Sequence, residues 1–168
     1  MKEIFARRSI RKYTSKKVEE HKIKKIIKAG FAAPSCGNQR ITNFIIIRDR
    51  DRLDKIADIH GYAESLRQAN AAVAVCANLE EEMYEGFWVQ DCAAAAENML
   101  TEAVYLDLGA VWLGVHPKER IIKEVNSILE LPEQVKALSI ISLGYPAEEK
   151  EPSDRYIEEK VHREKWQQ

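Results

Sequence analysis

VQDCAAAAENMLTEAVYLDL, residues 89–108, is the longest helical pattern in the chain and restricts its fold more than any other stretch. Ala93, Ala94, Ala95 and Ala96 give this helix one face with almost no side-chain bulk. Alanine is the best helix former, so propensity alone would account for the run. Four small side chains fill a core poorly, however, because interiors pack at crystal-like density. The more specific reading is a central helix, Trp88 to Leu108, closely approached by another helix, a sheet or a second subunit.

The flanking sequence offers candidates for those layers. EEHKIKKIIKAGFAAP (19–34) carries Ile23, Ile26, Ile27 and Phe31 at helical spacing along one buried face, and Pro34 marks its end. NFIIIRDRD (43–51) reads as a β-branched strand that ends in charges. DRLDKIADI (51–59) and YAESLRQAN (62–70) predict two short helices, and AAVAVCAN (71–78) predicts a buried strand. Beyond the central helix, GAVWLGV (109–115) predicts a turn and strand, and ERIIKEVNSIL (119–129) an amphipathic helix. VKALSIISLGYP (135–146) predicts a strand that closes in a Gly–Tyr–Pro turn. Few strands and one long mid-chain helix suggest an α+β or α/β layered domain, not a doubly wound Rossmann unit. With 168 residues, 45% of them hydrophobic, the chain reads as a single domain, 1–168. The segment 147–168 is highly charged yet holds Tyr156, Ile157, Val161 and Trp166, as an arm packing on another surface would.

Charge and cysteine content exclude several classes. Lys and Arg number 26 against 27 Asp and Glu, so the net charge of −1 argues against a dedicated nucleic-acid binder. Cys36, Cys76 and Cys92 are too widely spaced for a disulfide framework or zinc knuckle, which points to a reducing, cytoplasmic compartment. No membrane segment or signal peptide is expected. His60 and His116 have no partner at ligand spacing, so no metal site is expected.

No Gly-rich dinucleotide or P-loop fingerprint occurs, so a phosphate-bearing ligand would have to be held by side chains. RRSIRKYT (7–14) supplies such side chains, with Arg7, Arg8, Arg11 and Lys12 around Ser9. Guanidinium groups present planar donor forks that match phosphate oxygens. In an extended segment Arg7, Ser9 and Arg11 would share one side, with Arg8 and Lys12 on the other. Charge runs are also commonly plain solvated surface, and the octapeptide alone leaves both readings open. APSCGNQRITNF (33–44) is a turn-rich loop between a helix and a strand, where ligand contacts concentrate.

Together, RRSIRKY and the later APSxxN resemble the nitroreductase family of flavin mononucleotide (FMN) enzymes. QDCAAAAENMLTEAVYLDLGAVWLGV is similar to that family's central helix and its Gly-x-x-Trp-x-Gly turn. SLGYP with the downstream Arg155 resembles its closing strand and final phosphate contact. The resemblance spans nearly the whole chain, in order. It implies an α+β fold of three layers, α-β-α, with a mixed, mostly antiparallel central sheet. It also implies an intertwined homodimer in which the arm 147–168 packs on the partner.

By the same resemblance Arg7, Arg8, Ser9 and Arg11 hold the FMN phosphate and ribityl chain, and Arg155 is a second phosphate contact. Arg11 also lies by the pyrimidine edge. Pro34, Ser35 and Asn38 reach the flavin of the neighbouring subunit. Leu113 and Gly114 form the turn whose backbone amide approaches the reactive ring nitrogen. The implied activity moves two electrons from NADH or NADPH, bound transiently, to a small conjugated acceptor such as a nitroaromatic or quinone. The flavin performs the chemistry, so no catalytic side chain is expected. Alternatives are reductive dehalogenation, flavin cleavage, or a non-catalytic flavin-binding module.

There are departures from the family pattern. After Asn38 the family commonly reads x-Gln-Pro-Trp, where this chain has Gln39–Arg40–Ile41–Thr42. A Lys that larger members carry in the segment matching Tyr62 to Ser65 is missing, as is their long insertion before the central helix. Cys36 is read as a small spectator or as a reactive thiol, and Trp112 as a stacking or a packed residue. YEGFW (84–88) is read as part of the mouth of the acceptor pocket.

Overall fold

The computed structural model describes residues 2–152 and 154–166. A short helix, α1 (Lys2–Ala6), opens the chain and carries none of the patterning that would have marked it in the sequence. Then follow α2 (Glu20–Phe31), β1 (Thr42–Ile47), α3 (Arg50–Ile59), β2 (Ala71–Asn78) and the central helix α4 (Trp88–Tyr105). β3 (Gly109–Gly114), α5 (Glu119–Leu129) and β4 (Val135–Gly144) complete the domain. The strands form one sheet in the order β1-β2-β4-β3, with every neighbouring pair antiparallel. Among the described residues the one parallel pairing is a single bridge from Ser9 to Ala110 on the β3 edge.

Alternation along the strands divides the core into two layers, the α+β, three-layer arrangement expected. Val73 and Val75 of β2 face α2 and α4, packing with Ile23, Ile26, Cys92, Ala96 and Met99. Ala72, Ala74 and Cys76 face α3 and α5, packing with Leu53, Ile56, Ile121 and Val125. A bulge puts Ser139 opposite Val75 but Ala137 opposite Cys76. The extra residue, Leu138, therefore turns to the same layer as Ile141, three positions on.

The small-faced helix is indeed closely approached. A Cβ on Gly30 of α2 would sit 2.7 Å from the Phe44 ring and 3.1 Å from Met99 of α4. Ala96 packs in the same layer as Met99 and Ala95 is also buried, while Ala93 and Ala94 remain half-exposed. No helix among the described residues is long and apolar enough to cross a membrane.

Four local expectations need correcting. Residues 62–70 hold only a 3-10 turn, Glu64–Arg67. Ala63, Leu66 and Ala69 are buried at a spacing of three, which suits a 3-10 turn and mimics one face of an α-helix. The strand expected over 43–51 ends at Ile47, because Asp49 accepts the Arg52 N–H and caps α3. α4 stops at Tyr105, not Leu108, where Asp107 adopts φ 58°. Phe31 ends its helix 65% exposed, edge-on to Phe44, and is not buried.

Candidate functional site

The basic segment is laid down by two glycines. Gly109 and Gly144 are register partners at one end of the β3–β4 pair. A Cβ on Gly109 would lie 2.6 Å from Ile10, and one on Gly144 2.6 Å from the Tyr13 ring. Their bare backbones let residues 9–13 cross directly over the sheet. Ile10 N–H donates to Ala110 O at 3.0 Å, Thr14 N–H to Tyr145 O at 2.9 Å, and Ala147 N–H to Lys12 O at 2.9 Å. The Tyr13 hydroxyl donates to Ile10 O at 2.8 Å, and burial pushes its pKa up.

Two residues that motif reading did not single out brace the other side. Glu148 accepts the N–H groups of Arg11 (2.6 Å) and Lys12 (3.2 Å). The Arg11 N–H, above all, holds the Glu148 carboxyl below its ordinary range. Lys150 Nζ donates to Ser9 O at 2.7 Å and pairs with Glu148 at 3.3 Å. With its backbone fixed on both flanks, the segment leaves its guanidinium groups to face outward.

Those groups diverge. Arg7 lines a cavity of about 350 Å³ together with Arg155, Asp154, Tyr156, Ile4 and Phe5. Its Nε lies 3.2 Å from Glu97 of α4. Arg8 instead lines a second cavity of about 270 Å³ with Asp107, Glu148 and Lys150. Arg11 is exposed. Neighbouring Arg7 and Arg8 thus line different cavities, and Arg155 joins Arg7.

The loop carrying Pro34, Ser35 and Asn38 is a strained 3-10 turn, Cys36–Asn38. Gly37, Asn38 and Arg40 have φ values of 52°, 59° and 54°, a region unfavourable for residues with a Cβ. Buried polar groups hold it there. Asp91, in the first turn of α4, accepts Cys36 N–H at 2.9 Å and the Gln39 amide at 2.7 Å. Gln39 in turn accepts the N–H groups of Met83 (3.0 Å) and Tyr84 (3.2 Å). Ser35 Oγ accepts Arg40 N–H, and Asn38 Oδ1 accepts Arg40 Nε–H at 2.8 Å. Tyr84 lies against Gly37 so closely that a Cβ there would meet its ring at 2.0 Å. Pro34, Ser35, Arg40 and Asp91 line a small pocket of about 50 Å³. The family-divergent Ile41 is fully buried in the core. An acidic residue in a helix's first turn was the available signal for Asp91; nothing in the sequence marks Gln39.

At the far end of β3, Leu113 is buried and Gly114 is not crowded. A Cβ on Gly114 would meet nothing within 4 Å, unlike those on Gly30, Gly109 and Gly144. His60 Nε2 lies 2.8 Å from its carbonyl oxygen. Trp112 packs half-buried against the α2/α4 layer, and Trp88 stands edge-on to His116 at 4.9 Å. From Gly109 to Gly114 the strand runs about 17 Å. The Pro34–Asn38 loop lies at the Gly114 end of the sheet, but beside β1, about 14 Å across three strand spacings. The fold therefore brings Arg7 to Arg155, and it leaves the Pro34–Asn38 loop on the opposite edge from the arginine segment.

The α+β fold thus carries an arginine-lined cavity beside α1 and an uncrowded glycine at the end of β3. The Nitroreductase family model matches residues 4–61 and 60–145, and the chain belongs to the nitroreductase family, a family of oxidoreductases. An Archaeoglobus fulgidus relative, whose name provisionally assigns it NADH dehydrogenase/NAD(P)H nitroreductase activity, is 43% identical over 170 residues, covering 99% of this chain and 98% of its own length. An FMN-dependent nitroreductase from Clostridium difficile R20291 superposes with a TM-score of 0.91 at 30% identity, covering 99% of this chain and all of that one. A Desulfovibrio desulfuricans structure, described provisionally as a nitroreductase in complex with FMN, has a TM-score of 0.84 at 33% identity, over 99% and 96% of the two chains.

Proposed function

We propose that this chain is an FMN-dependent NAD(P)H oxidoreductase working as a cytoplasmic homodimer. The observation that carries the reading is the convergence of Arg7 and Arg155, from opposite ends of the chain, on one cavity. The family resemblance independently assigns both to the phosphate. Two guanidinium groups there can share a terminal phosphate through charge-assisted hydrogen bonds. The competing Arg7–Glu97 pair is partly solvent-exposed and worth only about 0–1 kcal/mol, so it is readily given up. The open space at Gly114 fits a flat ring lying against backbone.

When bound, FMN supplies two-electron chemistry between NADH or NADPH and a conjugated acceptor such as a nitroaromatic or quinone. The chain's own residues have simpler duties. Arg7, Ser9 and Arg155 grip the phosphate end. Arg11, its backbone fixed by Glu148, brings positive charge to the pyrimidine edge, where reduction accumulates negative charge. Gly114 presents its amide without a side chain to obstruct the ring. Pro34, Ser35 and Asn38 serve the partner's flavin, which suits their distance from this chain's own arginines. Tyr84 and Phe87 border the acceptor's entrance.

The test is direct. Purified protein should be yellow, with two visible flavin bands, and should oxidise NADH or NADPH when a quinone or nitroaromatic is added. Protein that stays colourless after incubation with excess FMN would sink the proposal. Bound flavin without turnover on any acceptor would reduce it to a binding module.

A further inference from the structure

His60 plays no part in the cofactor grip, yet it is bound at both ring nitrogens and only 4% exposed. It ends α3, in the layer opposite the central helix, and reaches across to the last residue of β3. The Gly114 carbonyl can only accept, so Nε2 must donate to it across their 2.8 Å separation. The Tyr62 N–H can only donate, so Nδ1 must accept at 3.2 Å. The two bonds are complementary in one neutral tautomer, because a second proton at Nδ1 would face the Tyr62 N–H. Arg120 donates to Ile59 O at 2.9 Å and anchors the preceding residue.

Gly114 needs such a hold. It has no side chain to wedge it, and the space beside its Cα is open. On its C-terminal side, Val115 N–H donates to Leu138 O at 3.0 Å, so the His60 bond fixes the remaining polar group of that peptide. That bond holds the peptide after Gly114, and the pairing of Leu113 with Ile140 holds the one before it, so the Gly114 N–H sits between two fixed planes.

We propose that His60 is the positioning residue for the Gly114 amide, setting how that N–H meets the reactive nitrogen of the oxidised flavin. The inference rests on the FMN reading above. The oxidised ring nitrogen accepts a hydrogen bond, whereas the reduced one carries a proton and does not, so a well-aimed amide favours oxidised FMN selectively. A merely structural histidine would support both forms alike.

The experiment measures dissociation constants of oxidised and reduced FMN for the parent, His60→Leu and His60→Gln. Parent protein that binds FMN establishes the underlying reading by itself. His60→Leu should weaken oxidised FMN roughly tenfold and leave reduced FMN within about twofold. That ratio corresponds to a rise of about 30 mV in the two-electron potential. His60→Gln, which can still donate to Gly114 and accept from Tyr62, should match the parent. Should His60→Leu fail to fold, His60→Asn keeps an acceptor for Tyr62 but falls short of Gly114, and gives the same comparison. Equal weakening of both forms, or no change in either, overturns the assignment while leaving the FMN reading intact. A parent that binds no FMN overturns both.

Discussion

Arg7 and Arg8 are sequence neighbours with identical side chains, and the fold gives them different surroundings. Arg7 shares its cavity with Arg155, while Arg8 faces Glu148, Lys150 and Asp107. A charge-assisted contact to phosphate contributes about 1.5–3 kcal/mol. Arg7→Ala and Arg155→Ala should therefore each lower FMN affinity roughly ten- to a hundredfold, read by fluorescence titration. Arg8→Ala should stay within about threefold, since the contact it loses lies outside that cavity. Equal losses at Arg7 and Arg8 would mean that the positive field of the whole segment, not one aimed pair, retains the cofactor. The thiols are sorted by the same local physics. Burial pushes Cys76 and Cys92 up to about 12, which makes them inert, and leaves Cys36 as the half-exposed thiol.

Glycines show what a sequence can and cannot disclose about its elements. Gly109, Gly114 and Gly144 look alike as letters, but two are filled by Ile10 and Tyr13 and one opens on space. Gly144→Ala drives a methyl into a buried tyrosine whose hydroxyl is already tied to Ile10 O. Such overpacking costs about 1–3 kcal/mol, which lowers Tm by roughly 2–4 °C for each kcal/mol. Gly114→Ala meets no atom, so Tm should hold while FMN affinity falls roughly tenfold or more. Thermal melts and flavin titrations of both variants check the contrast, and a large Tm loss at Gly114 would contradict it. The continuous apolar runs of β2 and β4 and the amphipathic α5 were legible because local pattern fixes them. The 62–70 turn was not, because buried residues every third position imitate a helix. The Gln39–Asp91 and His60–Gly114 bonds join residues 52 and 54 apart, pairings that only topology creates. Hence the motifs supply the residues proposed to contact the cofactor, while the long-range bonds that brace their loops leave no local pattern to read.

One chain by itself leaves much apolar surface uncovered. Phe5 and Tyr105 are 78% and 65% exposed, on the short helix beside α4 and on α4 itself. From Glu151 onward no described residue is buried, although Tyr156, Ile157, Val161 and Trp166 are all apolar. We propose that these exposed apolar residues form the interface of the homodimer. Burying a large apolar side chain contributes about 1.5–3 kcal/mol, so four per arm are ample to hold a dimer. Replacing Tyr156, Ile157, Val161 and Trp166 together by serine leaves Arg155, Glu148 and Lys150 in place. A loss of only about 4 kcal/mol would weaken association about a thousandfold and give monomers in sedimentation velocity. Because Pro34, Ser35 and Asn38 lie on the sheet edge away from their own chain's arginines, those monomers should also lose flavin on dilution. A parent that sediments as a monomer while holding one FMN per chain would refute both the arm's role and the exchange of loops between subunits. Retention of flavin by monomeric variants would refute the exchange alone, because each chain would then close its own site.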